Sequence, residues 1–207
     1  MSGPRLLDLF CGAGGAAMGY HRAGFEVVGV DINPQPNYPF EFHQGDALKY
    51  FLEHWREFYA FHGSPPCQAF TSAQRIMQRE HPDYITATRA AFQFTDRPWV
   101  IENVPGAPLM NPVMLCGQMF GLATYRHRLF ESNYPIVGLE HEAHRHSQAK
   151  MGRRQRPGEF IQVIGHFSGV SEARLAMGID WMTRDELAES IPPAYSEFIG
   201  RQIVVAA

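Results

Sequence analysis

No apolar run in this 207-residue sequence approaches the ~20 residues that a membrane-crossing helix needs, so no helical span is expected. Cysteine is scarce. Cys11, Cys67 and Cys116 are odd in number and stand at no metal-ligand spacing, which excludes a disulfide framework and favours reduced thiols. Charge of one sign is lacking too: the net charge of -3 argues against a surface built throughout to bind nucleic acid. A local basic patch can still serve, because phosphate contacts depend on local charge. Internal repeats, low-complexity tracts and a signal-peptide pattern are also missing, and the expected location is the cytoplasm of the cell that makes the chain. What is present is ordinary for a globular protein. Hydrophobic residues make up 45% and charged ones 19%, and the length suffices for one buried core.

The chain begins with an apolar run at residues 5–10 (RLLDLF), a glycine-rich turn at 11–15 (CGAGG), a helix over 16–23 and a valine-rich strand over 25–31 ending on Asp31. That strand–turn–helix–strand unit predicts a parallel, doubly wound α/β sheet. Further strands are expected at 40–43, 58–62, 99–103, 129–132 and 160–167. Helices are expected at 48–56, 83–95, 171–178, 184–190 and 195–205. Residues 134–158 are polar, basic and histidine-rich. Three segments follow: a core over 1–133, this short excursion, and a return to the core over 159–207.

Such sheets bind ligands at the carboxyl ends of their strands. The glycine turn lets a ligand approach the backbone, and Asp31 is placed to accept ribose hydroxyls. Asp46, at the next strand end, is placed to accept from an exocyclic amine. A nucleoside-containing cofactor follows; a dinucleotide dehydrogenase stays open, although CGAGG is not a clean GxGxxG. Residues 64–70 (SPPCQAF) put Cys67 after two prolines at a strand end, a position for a nucleophilic thiolate. Glu102, in IENVP, should reach the same edge, where partial desolvation raises a carboxyl pKa and fits it to donate toward a ring nitrogen. In YRHRLF, Arg126 and Arg128 flank a histidine at the start of a strand, and at most one of the two is expected to point into the site. Arg145, Lys150, Arg153, Arg154 and Arg156 form a basic stretch with no acid among residues 145–156. His141, His144 and His146 are close in sequence, but histidines in a basic segment more often face solvent or phosphate, and no metal site is assigned.

DLFCGAGG, the acid of VVGVD, SPPCQAF, IENV and RHRLF, in this order, resemble the successive motifs of the DNA (cytosine-5) methyltransferases. EARLAMG and IPPAYSEFIG resemble the closing motifs, and the short form is similar to methyltransferases carried by bacteriophages. The resemblance implies the sheet of the S-adenosylmethionine-dependent methyltransferases and a bacterial or phage-infected host cell. It implies S-adenosylmethionine held by Phe10, Gly12, Gly14, Asp31, Ile32, Asp46 and Pro65. It also implies Cys67 adding to carbon 6 of cytosine, Glu102 at N3 and Arg128 at O2. Gln68, Thr71, Ser72, Gln74, Arg75 and Arg79 would lie on a lid closing over extruded DNA, with Arg126, Arg145, Arg153 and Arg154 as further DNA contacts.

Three departures from the family pattern stand out. Only 134–158 is available for target recognition, so specificity is expected to be short, relaxed or borrowed from a partner chain. The glutamine opening the arginine motif is replaced near Thr124, and an expected Gly-Asn pair falls at Ala188–Glu189. Methylation of RNA or free cytidine nucleotides, and a catalytically silent DNA-binding subunit, are the competing readings. The transferred group, plain methyl or modified one-carbon unit, is not specified.

Overall fold

The computed structural model describes residues 3–66, 83–149 and 152–205. Among them, seven strands form one sheet: β1 (Arg5–Leu9), β2 (Glu26–Asp31), β3 (Glu41–Gln44), β4 (Ala60–Gly63), β5 (Trp99–Asn103), β6 (Val113–Leu115) and β7 (Arg128–Ser132). Their order is β3-β2-β1-β4-β5-β7-β6. The first five are mutually parallel, and β7 runs antiparallel to both β5 and β6. This is the doubly wound, mostly parallel sheet that the sequence predicts.

The central strands are apolar throughout because both faces are covered. Leu6, Val27, Ala60 and Val100 face α1 (Gly15–Arg22) and α6 (Pro193–Val205). Leu7, Leu9, Val28, Val30, Phe61 and Ile101 face α2 (Ala47–His54) and α3 (Tyr84–Gln93). Fully buried rings such as Phe51, Phe61 and Phe92 contribute roughly 1.5–3 kcal/mol each. Helices α1 and α6 touch at Gly19, where an added Cβ would stand 2.1 Å from the carbonyl oxygen of Pro193. That contact docks the last described helix onto the first. A third cluster joins Ala13 of the glycine turn to Ile161, Val163, α4 (Val170–Met177) and α5 (Arg184–Glu189).

Two expectations need correction. Strand β6 is absent from the sequence reading: its three residues follow Asn111 and Pro112 and carry too short a pattern to read. Residues 160–167 form no strand beyond one isolated bridge between Gln148 and Phe160. Ile161 and Val163 alternate into the core as a strand's would. Their backbone is satisfied otherwise: the Ile161 N–H donates to the carbonyl of Ala123, and the carbonyl of Val163 accepts from the Arg126 guanidinium. No helix among the described residues is long and apolar enough to cross a membrane.

Candidate active site

The parallel register brings the tips of β1, β2, β4 and β5 to one edge, with Leu9 opposite both Val30 and Gly63, and Gly63 opposite Ile101. After Leu9 the chain turns sharply. Phe10 adopts a left-handed φ of 58°, uncommon for a residue with a side chain, and Gly14 caps α1 at φ 85°. An added Cβ at Gly14 would stand 2.9 Å from the Pro39 side chain, so this glycine shapes the turn. At Gly12 the corresponding direction is open, with nothing within 4 Å.

Asp31 closes the turn from β2. Its Oδ2 accepts the Gly12 N–H at 3.1 Å and its Oδ1 accepts the Asn33 N–H at 2.9 Å. Each carboxylate oxygen has two lone pairs, so capacity for two hydroxyl donors remains. The next residue, Ile32, is 64% exposed, a large apolar side chain left uncovered at the end of β2. Asp46 is exposed and caps α2, its Oδ1 accepting the Lys49 N–H at 2.8 Å. Two carboxylates, an uncovered aliphatic surface and a Cβ-free backbone suit an adenosine. The predicted cofactor residues therefore share one edge, with Pro65 buried on the β4 side.

The second half of the site lies around Glu102. This residue is buried on β5, and its Oε1 is 2.9 Å from the Arg128 Nε of β7. Burial raises its carboxyl above the ordinary value, while Arg128, a hydrogen bond from Ser64 and the charge of Arg126 pull the other way. Behind Ser64 stands a buried relay that sequence reading missed. The Tyr20 hydroxyl is 3.0 Å from His62 Nδ1, and His62 Nε2 is 2.9 Å from Ser64 Oγ. Burial lowers the His62 pKa to about 3, so its ring is neutral and one nitrogen donates while the other accepts. If Ser64 donates to Glu102, it accepts from Nε2–H, and Tyr20 donates to Nδ1.

Asn103, next along β5, is also buried, and its Nδ2 donates to the carbonyl of Pro65 at 2.9 Å. It fixes the Pro65–Pro66 stem leading to position 67. The polar residue after IE was the available signal. Cys67 itself, with Gln68, Thr71, Ser72, Gln74, Arg75 and Arg79, lies outside the described residues.

Of the two arginines, Arg128 is the one beside Glu102. The expectation that Arg126 contacts DNA is corrected. It is 7% exposed, precedes β7 at a left-handed φ of 31°, and donates to the carbonyls of Val163, Ala188 and Ser190. It ties the approach to β7 to the end of α5, where the Gly-Asn pair is replaced. Arg153 pairs its guanidinium with both Glu159 oxygens, at 2.7 and 2.6 Å, and its side chain is 33% exposed. Arg154 is exposed, and Arg145 is exposed in a loose pair with Glu142 at 3.3 Å. His146 stacks on Phe160 at 4.4 Å, away from His141 and His144, which face Cys116 and His127.

The C-5 cytosine-specific DNA methylase family matches residues 4–107, half of the chain, including the glycine turn, Asp31, the proline stem and Glu102. The chain belongs to that family. The type II methyltransferases M.HgiDI and M.HgiGI of Herpetosiphon aurantiacus are 32% and 33% identical to it over 120 residues. Each match covers 51% of this chain, with 38% of M.HgiDI and 94% of M.HgiGI, so this family member spans well under half of the first. Its fold is similar to an E. coli prophage-encoded protein assigned as a DNA modification methyltransferase. The TM-score is 0.65 at 15% identity over 98% of this chain and 99% of that one. It is also similar to the Dnmt2 methyltransferase of S. pombe, with a TM-score of 0.63 at 14% identity over 98% of both chains.

Proposed function

We propose that this methylase family member transfers a methyl group from S-adenosylmethionine to carbon 5 of an extruded cytosine in DNA, with Cys67 as nucleophile. The observation that carries the reading is the buried Glu102–Arg128 pair at the sheet edge where Asn103 anchors the stem of Cys67. Carbon 5 of cytosine is a poor nucleophile. The Cys67 thiolate adds to carbon 6, forming a carbon–sulfur bond while charge builds on the ring. Glu102, whose carboxyl burial shifts toward the protonated form, donates to N3 and spreads that charge, and Arg128 offers its remaining N–H groups to O2. Carbon 5 thereby becomes nucleophilic. The methyl group that the cofactor supplies would bond there, Glu102 would take back the N3 proton, and a base would remove the carbon-5 proton as the thiolate leaves.

Phe10, Gly12, Asp31, Ile32 and Asp46 would hold the adenosine of S-adenosylmethionine, with Pro65 beside the sulfonium end. The cofactor, when bound, supplies an electrophilic methyl group. Since the target atom is stacked within a duplex, the base must leave the stack.

Trapping tests this reading. Duplex DNA carrying 5-fluorocytosine, incubated with the protein and S-adenosylmethionine, should yield a covalent adduct that Cys67→Ala abolishes. An adduct on fluorinated RNA or mononucleotide but not DNA would favour a different substrate, and no adduct on any of them would favour a silent binding subunit.

A further inference from the structure

At the other end of the sheet edge, four side chains from three separate stretches converge. Cys116 follows β6 and is fully buried, His127 immediately precedes β7, and His141 and His144 come from the excursion after β7. Their ligating atoms all lie within 4.8 Å of one another. His127 Nε2 is 3.1 Å from His141 Nε2, which is 3.3 Å from His144 Nε2, and His144 Nε2 is 3.7 Å from Cys116 Sγ.

Tautomers do not account well for this arrangement. A neutral imidazole nitrogen either donates or accepts, so His141 Nε2 cannot serve two like neighbours equally, and all three rings turn the same atom inward. A tetrahedral zinc ion does account for it. With Zn–N of about 2.05 Å and Zn–S of about 2.3 Å, the edges of the tetrahedron are about 3.3 Å between nitrogens and about 3.6 Å between nitrogen and sulfur. The three shortest separations, 3.1, 3.3 and 3.7 Å, lie close to those edges, and the remaining ones stay within 4.8 Å. One thiolate with three imidazoles is a donor set for zinc rather than magnesium or calcium, and four protein ligands leave no open position for chemistry.

We infer that Cys116, His127, His141 and His144 form a closed, structural zinc site that staples the excursion to the β6–β7 edge. The excursion needs such a staple. Residues 137–148 are exposed without exception and form no regular secondary structure beyond one bridge residue, so burial of apolar surface contributes little to their order. The other ties are few and mostly polar: Tyr125 stacks on His144 at 3.6 Å and its hydroxyl donates to the carbonyl of His146 at 2.8 Å, the Val137 N–H donates to Gln202 at 2.9 Å, and the Phe160 N–H donates to the carbonyl of Ser147 at 2.8 Å. His127 also adjoins Arg128, whose Nη1 donates to the His127 carbonyl at 2.8 Å. A metal there would fix the route of the basic stretch beside the partner of Glu102. The site itself stands without the methyl-transfer reading; only that consequence rests on it.

Metal analysis of the full chain, prepared without a histidine tag, tests this. The wild type should carry about one zinc per chain through dialysis, and cobalt substitution should give intense tetrahedral d–d absorption with a thiolate charge-transfer band. Cys116→Ser should remove the charge-transfer band, and His127→Ala and His144→Ala should lose most of the zinc, whereas His146→Ala keeps it. Chelation should open residues 137–148 to proteolysis while leaving the rest of the chain resistant. Wild-type protein with neither zinc nor a tetrahedral cobalt spectrum would overturn the site, whatever the folding of the variants. So would zinc retained equally by His127→Ala and His144→Ala, and these readings are independent of any activity on DNA.

Discussion

Glu102 sits where a charge is hard to keep. Its burial favours the protonated carboxyl, and Arg128 and Ser64 hold that tendency in check. A carboxyl acting as a proton donor loses effect as pH rises through its raised pKa, so the rate of adduct formation should fall on the alkaline side. Glu102→Gln should remove that limb and lower turnover by about 10²-fold or more, as a pH–rate series on both proteins would reveal. Asp8 poses a second residue-scale problem. It is fully buried on β1, among the described residues neither oxygen has a hydrogen-bond partner, and burial raises its pKa well above the ordinary value, helped by Asp31 and Glu102. A raised folded-state pKa gives stability that is complete below the unfolded value and is lost as pH climbs. Asp8→Asn should therefore stabilise the protein by about 1–3 kcal/mol at pH 8 and by much less at pH 4, measured by denaturant unfolding at both. Equal effects at the two pH values would contradict the assignment. Glu102 and Arg128, the residues proposed to contact the ring, are readable from their motifs. Ser64 and His62 are not, because their roles depend on which strands become neighbours.

Elements are as legible in the sequence as their burial allows. Strands β1, β2, β4 and β5 are covered on both faces and write themselves as apolar runs, so their existence and order of appearance can be read directly. Strand β6 is too short for any pattern, and residues 160–167 carry an alternation that packs against the core while Arg126 and the carbonyl of Ala123 replace a strand neighbour. Arg126 misleads for the same reason: a guanidinium near a site suggests phosphate until three backbone carbonyls are found around it. The antiparallel extension beyond β5 is clamped by a pair that no motif announces. Arg89 of α3 meets both oxygens of Glu131 on β7 at 2.6 and 2.7 Å, and Glu131 also accepts the Met110 N–H at 2.8 Å. Both side chains are largely buried. Glu131→Ala would strand the arginine and should cost about 3 kcal/mol, appearing as a lower urea midpoint, with loss of activity following from displaced Arg128.

For the whole molecule, the arithmetic of charge constrains how the proposed DNA substrate would be held. A net charge of -3 gives little long-range attraction, and Glu159 neutralises one of the cations in the basic stretch. Binding should depend on a few exposed cations, Arg145, Arg154 and Arg156 among them. Replacing all three with alanine should weaken binding to any duplex uniformly and flatten the dependence of log K on log salt by about 1 for each phosphate no longer neutralised. An unchanged slope would move the DNA to another face. The central claim is that this chain modifies cytosine rather than only binding DNA. Mass spectrometry of nucleosides from the DNA of cells expressing it reads base, atom and transferred group together. The account predicts 5-methylcytosine above background with the wild type and none with Cys67→Ala. Unmodified cytosine in both, from soluble and correctly folded protein, would contradict it.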